Sequence, residues 1–310
     1  MLPRLILVGV LSVGWLAPGA RPADTFDRAS SLSSAKVLYQ KRDFKAAISL
    51  LSEVLAHAPD DPEAEQVLAL CYYSQGTFGR SIALLQRLRS QTSAAGFDTS
   101  YLLGMCHLKA GQPEEARSAF ADMYSVEPHS AAAHLFFARI LVREHREEQA
   151  STELHNAISL NPRLGMAHFL LGEVYLYKGA TQSAITEFRK ELEISPALWL
   201  VYWRLADALL RAEALDDAER AAKQAVWLNE SFSGSYVTLG QIALKKGDSE
   251  LAQQLLERAV KMEPGNQNAH YSLARAYQKL GKTDQANREF QLSRSLLSER
   301  NTTPSVNPAP

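Results

Sequence analysis

Between Ser233 and Asn266 the chain reads SGSYVTLGQIALKKGDSELAQQLLERAVKMEPGN, a segment of 34 residues. Its apolar residues recur at helical spacing in two runs, about Ser235–Lys246 and about Ser249–Met262. Gly247 closes the first run, because glycine adopts a left-handed turn without a side-chain clash. Pro264 closes the second by pushing the residue before it out of the helical region. Tyr236, Leu239 and Ala243 then face Ala252, Leu256 and Ala259 in a helical hairpin with a one-sided apolar seam. Such a hairpin cannot bury its apolar surface alone, so neighbouring segments must supply the missing faces.

The rest of the chain keeps the same register. Counting from Arg28 gives eight repeats, at 28–61, 62–95, 97–130, 131–164, 165–198, 199–232, 233–266 and 267–300, with Gly96 inserted once. At repeat position 8 stand Ala35, Ala69, Gly104, Ala138, Gly172, Ala206, Gly240 and Ala274, all small, where two helices must approach closely. Position 20 is Ala in every repeat except the second, which has Ser81. Glycine ends the first helix at Gly76, Gly111, Gly179, Gly247 and Gly281, and Pro59, Pro128, Pro162, Pro196 and Pro264 end five second helices.

This period and these columns resemble the tetratricopeptide repeat, a helix-turn-helix unit. The resemblance implies an all-α fold, a right-handed superhelical solenoid of about eight helical hairpins. Ser34 departs from the leucine usual in that family, which marks the first repeat as atypical.

The segments outside the repeats carry expectations of their own. Met1–Arg4 is a positive start, Leu5–Leu16 is apolar and Ala17–Ala20 offers small residues, the layout of a secretory signal peptide over 1–20. A bilayer span takes about 20 residues, so the expected outcome is cleavage near Gly19 or Ala20, export to a periplasm or secretory space, and no stable membrane span afterwards. An uncleaved anchor is the alternative. Residues 21–27 form a short lead-in, and 301–310, polar and proline-rich, are expected to be a disordered tail. Without an evident capping helix, Leu292, Leu296 and Leu297 leave end-to-end self-association open.

Catalytic signatures are lacking: no glycine-rich phosphate loop, no H-E-x-x-H and no G-x-S-x-G occurs. The repeats leave too little chain for an appended catalytic domain, so no enzyme activity and no cofactor is expected. A net charge of -1 gives no basic surface for nucleic acid. His134, His168 and His270 all fall at position 4 of separate repeats, too far apart to share a metal, and are assigned to packing. Cys71 and Cys106 share the apolar position 10 and are expected to be free, buried thiols. Glu191, at an otherwise small buried position, is expected to lay its stem on the surface and keep its carboxylate in water.

What remains is the inner wall. In the family that the chain resembles, first helices line the concave side and positions 2, 5, 9, 12 and 13 point into it. Carried over, position 2 gives Met166 and Leu200, and position 5 gives Tyr101, Phe169, Trp203 and Tyr271. Position 9 gives Met105, Arg139, Glu173, Asp207 and Arg275, and position 13 gives Arg143, Tyr177 and Arg211. Aromatic and arginine side chains are the usual anchors of protein interfaces. The expected function is therefore a scaffold that binds a peptide or partner protein in this groove. The alternative is a non-catalytic subunit or regulator of an envelope or lumenal enzyme complex, such as glycosyl-transfer or secretion machinery. The asparagine pair at position 9 that clamps chaperone C-termini in some relatives is missing.

Overall fold

The computed structural model describes residues 26–91 and 97–302. The expected signal segment, the inserted Gly96 and residues 303–310 of the expected tail lie outside them, as does most of the lead-in; the first two tail residues, 301 and 302, are instead helical, continuing the last helix. Every regular element among the described residues is an α-helix. None is long and apolar enough to cross a membrane.

The chain divides into two compact units, one ending at Gln75 and the other starting at Gly76. The N-terminal unit contains α1 (Arg28–Gln40), α2 (Phe44–His57) and α3 (Pro62–Ser74). Asp61 caps α3 by accepting from the amides of Glu63 and Ala64 at 3.1 and 3.2 Å. Arg28 Nη2 also donates to it at 2.9 Å, and this hydrogen-bonded guanidinium holds the Asp61 carboxyl below the usual carboxylate range. The sequence boundary between the first two repeats is thus a cap and an ion pair at once.

The C-terminal unit contains α4 (Phe78–Gln91), α5 (Phe97–Lys109), α6 (Pro113–Met123), α7 (Ala131–Arg143), α8 (Glu147–Leu160), α9 (Ala167–Tyr177) and α10 (Thr181–Ile194). It continues with α11 (Trp199–Arg211), α12 (Leu215–Leu228), α13 (Ser233–Lys246), α14 (Ser249–Met262), α15 (Gln267–Lys279) and α16 (Thr283–Thr302). From α5 onward odd- and even-numbered helices pair as hairpins, and each even-numbered helix packs on the next odd-numbered one. The seam read from α13 and α14 is buried throughout: Tyr236, Leu239, Ala243, Ala252, Leu256 and Ala259 are all core.

Two columns set how closely the helices of a hairpin approach. A Cβ added to Gly172 would come within 2.5 Å of the Phe188 ring, and one on Gly104 within 2.7 Å of Phe120. A Cβ on Gly240 would lie 2.5 Å from Leu256 Cγ. The partner always stands at position 24, so a large residue there fills the space that a glycine at position 8 leaves. Where position 8 is alanine, as in Ala206, position 24 can shrink to Ala222.

The histidines at position 4 are tied to a second column. Nδ1 of His134, His168 and His270 lies 2.5, 2.6 and 2.6 Å from a carboxylate oxygen of Glu153, Glu187 and Glu289. Glutamate occurs at position 23 in these three repeats and in no other. Each pair joins the two helices of one hairpin, and all three rings are buried. Both cysteines are buried and free, and desolvation pushes their thiols up to about 11.

The turn after each first helix needs a positive φ at position 15. Five glycines supply it, and Arg42, His145 and Glu213 adopt it at φ 62, 54 and 59 without that freedom. The glycine column read from the sequence is therefore a geometric requirement met in all eight repeats, at some strain where a side chain is present.

Glu191 departs from expectation. It is fully buried, and its carboxylate accepts from the amides of Met166 at 2.8 Å and Phe169 at 3.2 Å. The cause is the entry to α9, where Met166 is left-handed at φ 71 and offers no side-chain cap. A carboxylate from α10 satisfies amides that a local cap would otherwise serve.

Two stability measurements follow from these columns. Gly172→Ala gains about 1 kcal/mol of helix propensity but overpacks against Phe188 by about 1–3 kcal/mol. Chemical denaturation is expected to show a net loss, and adding Phe188→Leu to recover part of it, as the native pairing of Ala138 with Leu154 suggests. An undiminished midpoint for the single variant would refute the close approach. Glu187→Ala is expected to cost about 1–3 kcal/mol by leaving a buried imidazole without its partner. Combining it with His168→Tyr, which copies Tyr202 and Ala221 of the sixth repeat, should restore stability; an additive double loss would show that the pair is not coupled.

Candidate partner-binding groove

Within the C-terminal unit the first helices also touch one another: α7 meets α9, α11 meets α13 and α13 meets α15. Among the described residues consecutive second helices make no comparable approach. The first helices thus form the tighter wall, and two clefts open along it. A cleft of about 440 Å³ lies across α7, α9 and α11, with Val142, Glu173, Leu176, Tyr177, Arg204 and Arg211 among its lining. A smaller one of about 210 Å³ lies across α11, α13 and α15, lined by Leu210, Gln241, Leu244, Lys245, Tyr271, Ser272 and Arg275.

The larger cleft has an apolar floor and a charged rim. Val142 and Leu176 stand at position 12 of successive repeats, one helix apart. Tyr177 is 69% exposed, its ring centroid 6.4 Å from that of His145. Arg204 Nε donates to Glu173 Oε1 at 2.5 Å, while its Nη1 lies 3.5 Å from Asp207 Oδ2. Arg211 Nε donates to the same Asp207 oxygen at 3.1 Å. This network holds extended side chains in place, and so lowers the entropy that a partner's binding would have to overcome.

Residues expected at the groove fall into four groups. Glu173, Tyr177 and Arg211 line the larger cleft, Tyr271 and Arg275 the smaller, and Asp207 joins two arginines of the first. Arg139 is exposed, and Arg143 lies over the half-buried Tyr101 ring, 5.3 Å from its centroid, and donates to its hydroxyl. The third group is drawn into the core. Phe169 is 6% exposed with its ring 5.9 Å from Phe188, and Met105 is 5% exposed. Neither projects as an anchor for a partner, because position 5 of the fifth repeat and position 9 of the third turn towards the helix seam.

Trp203, Leu200 and Met166 are intermediate. Trp203 meets Phe232 edge-on at 4.9 Å and donates through Nε1 to Thr238 Oγ1 at 3.1 Å, while Leu200 and Met166 pack on the core around Phe188. Trp203 therefore holds two repeats together as well as presenting an edge. Arg204 and His145 escaped the sequence reading because positions 6 and 15 are not among the inward columns of the family. Arg204 stands out in its column, between Leu170 and Thr238, and that contrast was the available signal.

The comparisons agree with this architecture. A family model for the tetratricopeptide repeat matches residues 107–168 and 243–294. A second, for anaphase-promoting complex, cyclosome, subunit 3, matches residues 40–123. Among solved structures, the chain is similar to the APC/C hetero-tetramer Cut9-Hcn1, at 17% identity and a TM-score of 0.54, over 88% of this chain and 54% of that one. It is also similar to MamA (residues 41 to the end) from Desulfovibrio magneticus RS-1, at 19% identity and a TM-score of 0.50, over 56% of this chain and 97% of that one. These likenesses are of fold. No curated protein matches the sequence. Repeat register, hairpin geometry and family match together identify the chain as a member of the tetratricopeptide-repeat family.

Proposed function

We propose that this protein is an exported, non-catalytic scaffold that holds a peptide or a segment of a partner protein along the first helices of its C-terminal unit. The carrying observation is the larger cleft, where an exposed Tyr177 and Arg211 flank an apolar floor of Val142 and Leu176. Interfaces concentrate their energy in such aromatic and arginine anchors around an apolar centre. Tetratricopeptide-repeat proteins are in general non-catalytic scaffolds, and the charged groups of the cleft are engaged with one another. Export rests on the charge and apolar pattern of residues 1–20.

Because Phe169 is buried, the residue to carry a photo-crosslinker is Tyr177, with the exposed Lys261 of α14 as control. In the cell of origin a discrete adduct is expected from Tyr177 and not from Lys261; equal labelling, or none, would place partner contacts elsewhere. Once that partner is identified, Tyr177→Ala or Arg211→Ala is expected to weaken binding by about 2 kcal/mol. N-terminal sequencing of the native protein is expected to start at Ala20 or Arg21, and a chain starting at Met1 would contradict processing.

A further inference from the structure

On the reading that the groove binds an extended segment, we propose that the segment is acidic and that its side-chain carboxylates seat on the smaller cleft across α11, α13 and α15. The two clefts differ in how their charges are matched. In the larger, Arg204 and Arg211 are answered by Glu173 and Asp207, two cations by two carboxylates. In the smaller, Arg275 is exposed and makes no ion pair among the described residues. Lys279, one turn further along the same face of α15, makes none either. Lys245 reaches only Glu213, at 3.2 Å, in a pair whose two side chains are 54% and 76% exposed, and so weak in water.

Three cations thus stand beside one carboxylate, in a protein whose formal net charge is -1. The positive wall is a local feature, not the overflow of a basic chain. Leu210 and Leu244 give the cleft an apolar floor, and Tyr271, 48% exposed, gives it a side wall. Gln241 is already engaged, donating to Ser272 Oγ at 3.0 Å. An incoming carboxylate would meet guanidinium and ammonium donors, and the methylenes beside it would meet leucine.

The spacing of the wall sets the spacing of the ligand. Packed helices stand about 8–10 Å apart, and an extended chain advances about 3.3 Å per residue. Successive first helices therefore meet every third residue of a peptide laid across them. Position 13 carries Lys245 on α13 and Lys279 on α15, and on α11 the Arg211 that Asp207 already pairs. The matching ligand has an acidic residue at every third position.

The probe is a fluorescently labelled, amidated 13-residue peptide with glutamate at every third position, compared by anisotropy with its glutamine counterpart. The full chain is expected to bind the glutamate peptide at least tenfold more tightly. Arg275→Gln combined with Lys279→Gln should abolish that difference without weakening binding of the glutamine peptide, and Lys261→Gln on α14 should leave both affinities unchanged. Circular dichroism of these surface variants checks that the fold is intact. Equal binding of the two peptides, or an equal loss in Lys261→Gln, overturns the acidic preference. Binding of neither peptide overturns it as well. The groove itself is judged separately by the Tyr177 adduct, which does not depend on the ligand's charge.

Discussion

The closeness of the two helices in each hairpin governs the remainder of the architecture. It is set where position 8 of one helix meets position 24 of the other, from glycine against phenylalanine at Gly172 and Phe188 to alanine against alanine at Ala206 and Ala222. A hairpin that could not close there would hold its apolar seam apart and expose it to water. Because the seam faces one way, closing one hairpin leaves the surface on which the next must pack. The core is therefore a chain of local contacts, and the wall of first helices comes from stacking them in register.

Along that wall the side chains divide by a small difference in angle. Position 13 clears the seam, so Tyr177 and Arg211 stand out beside the cleft, whereas Leu176 at position 12 belongs to the core and only floors it. Position 5 lies at the margin. Tyr271 on α15 remains 48% exposed, but Phe169 on α9 sinks against Phe188. The larger cleft is charge-matched internally and the smaller is not, so the two halves of one wall differ in what they can attract.

The period, the hairpins and the small columns were legible in the sequence because they rest on backbone geometry and close packing, which repeat with the chain. The division of the wall was legible only in part. Whether an aromatic at position 5 is covered is not written in its own hairpin: phenylalanine holds position 24 in both the fifth and the eighth repeat, yet Phe169 is buried against Phe188 while Tyr271 stays exposed beside Phe290. The histidine pairs were within reach of sequence reasoning, since glutamate at position 23 appears only where histidine stands at position 4. Glu191 was not. Its partners are backbone amides more than twenty residues away, freed by an irregular entry to α9 that no side chain announces.

That arrangement also bears on the order in which the chain can fold. A local cap forms with the helix it serves, whereas the entry to α9 is served by a carboxylate from the helix that follows. Until α10 docks, the amides of Met166 and Phe169 lack the acceptor that Glu191 gives them in the fold. For a chain emerging from its N-terminus, the fifth repeat is thus completed backwards, its first helix sealed only after its second has arrived. That first helix is the one that supplies Glu173, Leu176 and Tyr177 to the larger cleft.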